Sequence, residues 1–268
     1  MIVDAQIHLW GNAAAPPHHR SRPLGADEAV HEMRVAGVDR AINCPAIWDP
    51  DANEIGNAAA RQYPDRLATT GWFPLSPVAN EEIVKNWKKQ PGMLGLRFVM
   101  ANEQQMSWLA TGALDWIWRA AEEWSVPVAL AVRGGLAHVE RMAVLHPRLR
   151  ITIDHMGAGH AGKVPDVFSH FPELLRLAGF SNVAVKATAA PAYATDRYPF
   201  RSVHDYLQKL FDAYGPDRMF WGTDITRMPC TWRECVTMFS EELSWLQGRD
   251  RDLVMGHALC NWLAWPVE

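Results

Sequence analysis

Eight short apolar segments recur along the chain, and segments with helical periodicity separate most of them. Each apolar segment spans three to seven residues and is bounded by turn residues, which is typical of buried strands. The segments are residues 2–5, 38–44, 67–72, 94–99, 127–132, 151–153, 183–187 and 219–221. Strands that alternate with helices form parallel sheets, and eight of them close a barrel. The pattern therefore predicts an α/β fold, a (β/α)8 TIM barrel.

The helical segments carry the end signals expected of helices. They cover residues 27–36, 53–63, 80–90, 114–124, 136–146, 203–214 and 253–265. Gly37 follows the first and Pro64 the second, which predicts helix ends at both places. Thr231 and Glu234 are spaced as a capping box, in which each side chain bonds the backbone N–H of the other.

The chain length of 268 residues fits one such barrel. No Ser/Gly-rich linker, charge block or internal repeat divides it, so we expect a single domain over residues 1–268. No G-x-G-x-x-G motif follows a strand segment, which disfavours a dinucleotide-binding fold.

Charge and hydropathy restrict the partners. The net charge is −4, and the 26 Lys and Arg residues are scattered rather than grouped, so we expect no nucleic-acid partner. No apolar run approaches the roughly 20 residues of a membrane span, and the first residues lack a signal-peptide pattern. We expect a cytoplasmic protein that acts on a small molecule; assembly into a homo-oligomer is left open.

Polar residues cluster at the ends of the predicted strands, where barrels of this type place their chemistry. They are Gln6 and His8 on strand one, Arg97 on strand four, Arg133 after strand five, Asp154 and His155 on strand six, Lys186 on strand seven and Asp224 on strand eight. Gln6 and His8 lie two residues apart, so both point to the same side of their strand.

Three of these residues match the ligands of a mononuclear metal site. His8, His155 and Asp224 would offer two imidazoles and one carboxylate to a divalent ion and leave one position open for water. The sequence therefore predicts one zinc or manganese ion, to which Gln6 would add only a weak, neutral carbonyl. A metal-free site stays open as the alternative.

Five segments together resemble the amidohydrolase-related TIM-barrel hydrolases. They are DAQIHLW at residues 4–10, GLRF at 95–98, TIDHMG at 152–157, VAVK at 183–186 and RMFWGTD at 218–224. The resemblance covers nearly the whole chain and is strongest to the lactonase branch, which includes enzymes similar to pyrone-dicarboxylate lactonase, sulfomuconolactone hydrolase and sugar-lactone hydrolases. Gln6 departs from the pattern, since the family's first motif usually reads His-x-His, and residues 128–132 lack the histidine of metal-dependent branches. At most one metal is therefore expected.

The resemblance implies a hydrolase that opens a lactone. Asp224 would be the general base, with His155 and Lys186 as further catalytic residues. The carbonyl would be polarised by a metal on the two histidines or, without a metal, by Arg97 and Lys186. Lys186 fits the lactonase pattern, although a buried ion-pair network that includes Arg97 is an alternative role for it.

A basic pocket would select an anionic lactone, because guanidinium groups pair with carboxylates and sulfonates. The predicted substrate-binding residues are Arg97, Arg133, Arg227, Gln6 and Trp72. Trp10 and Trp48 also follow strands and could line the same pocket. We expect residues 18–20, HHR, to form a surface loop tip.

Two other functions are left open. The same superfamily contains metal-dependent decarboxylases of hydroxy-aromatic or muconate-like acids, which would use the residue at Asp224 to protonate carbon. A non-catalytic binding protein is the other alternative, in which Gln6 would reflect loss of an ancestral site.

Overall fold

The computed structural model describes residues 1–100 and 102–266. Eight strands form one parallel sheet in the order β1 to β8. The strands are β1 (Val3–Ile7), β2 (Arg40–Asn43), β3 (Leu67–Trp72), β4 (Met93–Val99), β5 (Val128–Ala131), β6 (Ile151–Ile153), β7 (Val183–Thr188) and β8 (Met219–Gly222). The predicted (β/α)8 barrel is confirmed.

Helices connect the strands and surround the sheet. They are α1 (Ala26–Ala36), α2 (Ala52–Gln62), α3 (Glu81–Asn86), α4 (Glu103–Thr111), α5 (Asp115–Glu123), α6 (Leu136–Leu145), α7 (Phe171–Arg176), α8 (Ala190–Tyr193), α9 (His204–Tyr214), α10 (Trp232–Thr237), α11 (Gly248–Asp252) and α12 (Ala258–Leu263). The capping box predicted at Thr231 and Glu234 begins α10. Helices α4, α7, α8 and α11 were not predicted from the sequence.

Two predicted helices are interrupted. The segment 80–90 forms α3 and then a 3₁₀ turn at Trp87–Lys89. The segment 253–265 begins as a π-helical turn at Leu253–His257 and continues as α12. Gly256 causes the second interruption: its backbone is extended, and a Cβ there would lie 2.7 Å from the carbonyl oxygen of Met1.

The first and last strands meet through Asp4 and Asp224. The backbone N–H of Asp224 donates to the carbonyl of Gln6 at 2.8 Å, and the N–H of Thr223 donates to the Asp4 carboxylate at 2.8 Å. The Asp4 carboxylate also accepts from the Thr223 hydroxyl and from the indole N–H of Trp232. Asp4 therefore joins β1, the end of β8 and α10, and none of its partners among the described residues is a cation.

The longest irregular segment, residues 11–24, runs from β1 across the C-terminal end of the barrel to α1. Its position is fixed on the turn after β8, because the N–H of Arg20 donates to the carbonyl of Thr226 at 2.7 Å. Nδ1 of His19 lies 2.8 Å from the Thr226 hydroxyl. This segment forms part of the wall of the cavity described below.

Among the described residues, no helix is long and apolar enough to cross a membrane. The cellular location and the single domain over residues 1–268 stay predictions.

Candidate active site

A cavity of about 560 Å³ opens at the C-terminal ends of the strands, within the usual size range of small-molecule sites. It is lined by His8, Pro16, His18, His19, Ile47, Trp48, Arg97, Val99, Met100, Ala131, Arg133, His155, Ala158, Gly159, His160, Asp224 and Arg227. These residues lie near the C-terminal end of a strand or in the segment that follows it, so the barrel itself positions the cavity.

Asp224 follows β8 in the left-handed conformation, with φ of 57°, and its carboxylate is buried at the cavity wall. Its Oδ2 accepts a hydrogen bond from Nε of Arg227. The other nitrogens of that guanidinium donate to the carbonyl of His160 at 3.1 Å and to the hydroxyl of Tyr193 at 3.0 Å. Arg227 is therefore fully engaged within the protein and holds Asp224 in place.

The charges around Asp224 keep it ionised. Burial alone would raise the pKa of its carboxyl, but Arg227 and His8 hold that pKa well below its usual range. Oδ1, the oxygen that Arg227 does not contact, is buried and accepts no hydrogen bond from the described residues. This oxygen is available to a water or a ligand group in the cavity.

His8 faces this free oxygen. Its Nδ1 donates to the backbone carbonyl of Cys44, because a carbonyl can only accept. Its Nε2 lies 3.2 Å from Oδ1 of Asp224. With the ring proton on Nδ1, a favourable contact between these two atoms needs a proton or another cation between them. The geometry therefore marks a place where a proton or another cation can be held.

Hydrogen bonds fix the tautomer of His155. Nζ of Lys186 donates to Oε1 of Gln6 at 3.3 Å, which turns the Gln6 amide nitrogen toward Nε2 of His155 at 3.0 Å. Since an amide nitrogen only donates, Nε2 accepts, and Nδ1 carries the proton and donates to the Thr188 hydroxyl at 2.8 Å. Burial, and then the charge of Arg227, lower the pKa of His155 to about 3. This histidine is neutral.

A second ion-pair group lies below the cavity. The Asp154 carboxylate lies 2.9 Å from Nζ of Lys186 and 2.8 Å from Nε of Arg97. Burial would raise the pKa of Asp154, but the two cations hold it well below its usual range. Arg97 reaches the cavity, whereas neither Lys186 nor Asp154 lines it. The buried ion-pair network considered from the sequence is therefore present.

The structure brings together six of the predicted site residues at the cavity wall: His8, Arg97, Arg133, His155, Asp224 and Arg227. Gln6 and Lys186 lie behind the wall and reach it through His155. Trp72 is absent from the described lining, in contrast to the prediction. Its backbone N–H and carbonyl are both bonded to the Asn53 side chain of α2, which ties the end of β3 to that helix. Trp48 lines the cavity instead.

Sequence reasoning missed three histidines of the cavity. His18 and His19 were expected at a surface loop tip; His18 is exposed, but both rings also line the cavity. His160 belongs to the loop after β6 and was not singled out. The signal was the position of these loops: in a (β/α)8 barrel, segments that follow strands surround the active site.

The family model for amidohydrolases matches residues 3–267. The chain belongs to the amidohydrolase family. It is a hydrolase with a small-molecule substrate. A curated relative, L-fucono-1,5-lactonase from Burkholderia ambifaria, is 22% identical over 230 residues, which cover 83% of this amidohydrolase and 79% of the relative.

Solved structures share the fold of this amidohydrolase. An amidohydrolase from Burkholderia multivorans with bound zinc has a TM-score of 0.83 at 17% identity, over 99% of this chain and 100% of that one. A probable 2-pyrone-4,6-dicarboxylic acid hydrolase from Acinetobacter baumannii, with citric acid bound, gives 0.77 at 16% identity, over 98% and 99%. A 5-carboxyvanillate decarboxylase from Sphingomonas paucimobilis gives 0.66 at 14% identity, over 98% of each chain.

The side chains do not fit the predicted three-ligand metal centre as they are arranged. Within residues 1–100 and 102–266, no group of three or more His, Cys, Asp and Glu is placed to hold a metal ion. The lone pair of His155 Nε2 accepts from Gln6, and Oδ2 of Asp224 accepts from Arg227. Among the three predicted ligands, only Nε2 of His8 and Oδ1 of Asp224 keep a lone pair that could bind a metal ion. The zinc or manganese ion expected from the sequence has the typical metal dependence of the family in its support, whereas these hydrogen bonds favour the metal-free alternative.

Proposed function

We propose that this amidohydrolase opens a lactone ring and that Asp224 is the general base. The observation that carries the proposal is the ionised Asp224 carboxylate, whose Oδ1 is free at the wall of a cavity that also contains arginines. The names of two relatives, a fuconolactonase and a pyrone-dicarboxylic acid hydrolase, support the reaction class.

The reaction follows from the position of Oδ1. A water between Oδ1 and the lactone gives a proton to Asp224 as its oxygen bonds to the carbonyl carbon. The ring C–O bond then breaks, and the leaving alkoxide takes the proton from Asp224. The products are a hydroxyl group and a carboxylic acid, which ionises at neutral pH. Asp224 returns to its starting state.

Arginines at the cavity favour an anionic substrate. Arg133 makes no hydrogen bond or ion pair with any described residue, and Arg97 uses only Nε in its pair with Asp154. The free guanidinium nitrogens can bind a carboxylate on the substrate or polarise the carbonyl. The citric acid bound by the Acinetobacter relative agrees with such a preference. Arg227, in contrast, binds the carboxylate of Asp224.

His155 and Lys186 act at different distances from the reaction. His155 lines the cavity with a neutral ring whose tautomer is fixed by Gln6 and Thr188. Lys186 touches Gln6 and Asp154 but not the cavity, so we assign it a positioning role. Lys186→Met should therefore lower kcat through misplacement of Gln6 and His155, with KM changed less.

Product analysis tests the reaction. The protein is incubated with a panel of lactones and aromatic acids, and acid release is followed by pH-stat while carbon dioxide is measured in parallel. We expect acid release from a lactone without carbon dioxide, at a rate that falls by about 10² to 10⁴ in Asp224→Asn. Asp166→Asn, at an exposed position, is the matched control. Carbon dioxide as the product would establish the decarboxylase alternative, and binding without any product would establish the non-catalytic one.

A further inference from the structure

Four rings form one wall at the cavity mouth, which we call the ring rim: His18, His19, Trp48 and His160. The rings of His18 and His160 are stacked, with centroids 4.4 Å apart and planes inclined by 18°. The centroid of His19 lies 4.5 Å from that of His18 and 4.6 Å from that of Trp48. The four rings therefore form a continuous aromatic surface.

The loops hold this surface in place. His19 is bonded to Thr226 next to the active site, and the carbonyl of His160 accepts from Arg227. Trp48 packs edge-on against the buried ring of Trp10, with centroids 5.7 Å apart. The ring rim is thus attached to the same turn that carries Asp224.

Beside the ring rim, the cavity wall is apolar at Pro16, Ile47, Val99, Met100, Ala131 and Ala158. No Ser, Thr, Asn, Gln or Glu occurs in the described lining, and its other polar residues are the charged and imidazole side chains around Asp224 and the two arginines Arg97 and Arg133. Hydroxyl groups of a saturated sugar lactone that lie against the apolar residues would find no acceptor there, which weakens binding. A flat apolar ring has no such groups to pair.

We propose that the ring rim selects a flat, conjugated lactone bearing a carboxylate over a saturated, polyhydroxylated one. The ring of the substrate packs on the rim, and Arg97 or Arg133 binds its carboxylate. The inference rests on the proposed lactone hydrolysis and goes beyond it, because it separates the substrate class of this chain from the sugar lactone for which the Burkholderia ambifaria relative is named.

Binding of two matched probes tests the proposal without turnover. Benzene-1,3-dicarboxylate and cis-cyclohexane-1,3-dicarboxylate carry the same charges, but only the first is flat. Titration calorimetry should give a Kd about tenfold lower for the flat probe, the size expected of aromatic packing. His160→Ala and Trp48→Ala should bring the ratio of the two Kd values toward one. Arg133→Gln, the control for charge, should weaken both probes by a similar factor.

Equal affinity, tighter binding of the saturated probe, or no binding of either would overturn the proposal. His160 is exposed, so its variant reports on the rim even where Trp48→Ala fails to fold. A higher kcat/KM for L-fucono-1,5-lactone than for 2-pyrone-4,6-dicarboxylate would also overturn it while leaving lactone hydrolysis intact. Tight binding of the flat probe with no lactone hydrolysed would support the rim and contradict the proposed function instead.

Discussion

Asp154 and Asp224 follow strands of the same barrel, and each is buried beside cationic side chains, yet only Asp224 borders the cavity. Each carboxylate has one oxygen bonded by an arginine, Arg97 for Asp154 and Arg227 for Asp224. The second oxygen of Asp154 lies 2.9 Å from Lys186, which is not in the described lining of the cavity, whereas that of Asp224 lies 3.2 Å from the cavity residue His8. Burial and a lowered pKa are common to both carboxylates, so neither property identifies the base. The position of Asp224 at the cavity, beside His8, does.

The largest effect is expected from removal of the buried carboxylate below the cavity. Asp154→Asn leaves Lys186 and Arg97 buried without their counter-ion, so we expect a loss of about 3–5 kcal/mol in the free energy of unfolding. Urea unfolding of the variant, with Asp166→Asn as the control, measures it. A loss below about 1 kcal/mol is the range of an exposed ion pair. It would show that the ion pairs of Asp154 contribute little to the stability of the barrel.

The second prediction concerns the cation beside the base. Arg227→Met removes the charge that lowers the pKa of Asp224, so that pKa should rise. The low-pH limb of the kcat/KM profile, where Asp224 becomes protonated and inactive, should move to higher pH by the same amount. Arg227→Lys restores a charge and should move the limb part of the way back. An unmoved limb in both variants would mean that the limb does not report on Asp224.

The third prediction uses Asp4, a buried carboxylate that has hydrogen-bond donors but no cation. Burial raises its pKa from 3.8 to about 6, although the bonds from Thr223 and Trp232 oppose this. The folded protein therefore binds this proton more tightly than the unfolded chain does. The resulting contribution to the free energy of unfolding is lost as pH rises through about 6. Between pH 4 and pH 7 the unfolding free energy of the wild type should fall by about 2 kcal/mol relative to Asp4→Asn. Parallel pH dependence in the two proteins would contradict the raised pKa.

The smallest expected effect is that of metal removal. Because Gln6 and Arg227 use the lone pairs that a three-ligand centre would need, we expect kcat/KM to be unchanged after dialysis against a chelator. Mass spectrometry of the purified protein should then find no stoichiometric metal. Loss of activity that zinc or manganese restores would mean that Gln6 turns away and that His8, His155 and Asp224 form the centre predicted from the sequence.

The barrel and the strand-end residues could be predicted because both follow from local patterns. Short apolar runs bounded by Gly, Pro and polar residues mark the strands, and parallel strands bring their C-terminal ends together. That reasoning is enough to place His8, His155 and Asp224 near one another. It works because strand direction and side-chain alternation are fixed by backbone geometry.

What the sequence could not predict depends on side-chain orientation and loop paths. Lys186 and Arg97 both follow the pattern of cavity residues and both bind Asp154, but only Arg97 is in the described lining. Trp48 and Trp72 both end or follow strands, but only Trp48 is in that lining. The ring rim lies on loops with no periodicity, so the only sequence signal for it is the position of these loops after strands.

The comparison of the two carboxylates is tested most directly by measuring kcat and the free energy of unfolding for Asp224→Asn and Asp154→Asn side by side. We predict that Asp224→Asn lowers kcat by about 10² to 10⁴ with a stable fold, whereas Asp154→Asn loses mainly stability. Near-normal turnover of the true substrate by folded Asp224→Asn would contradict the assignment of this carboxylate as the general base.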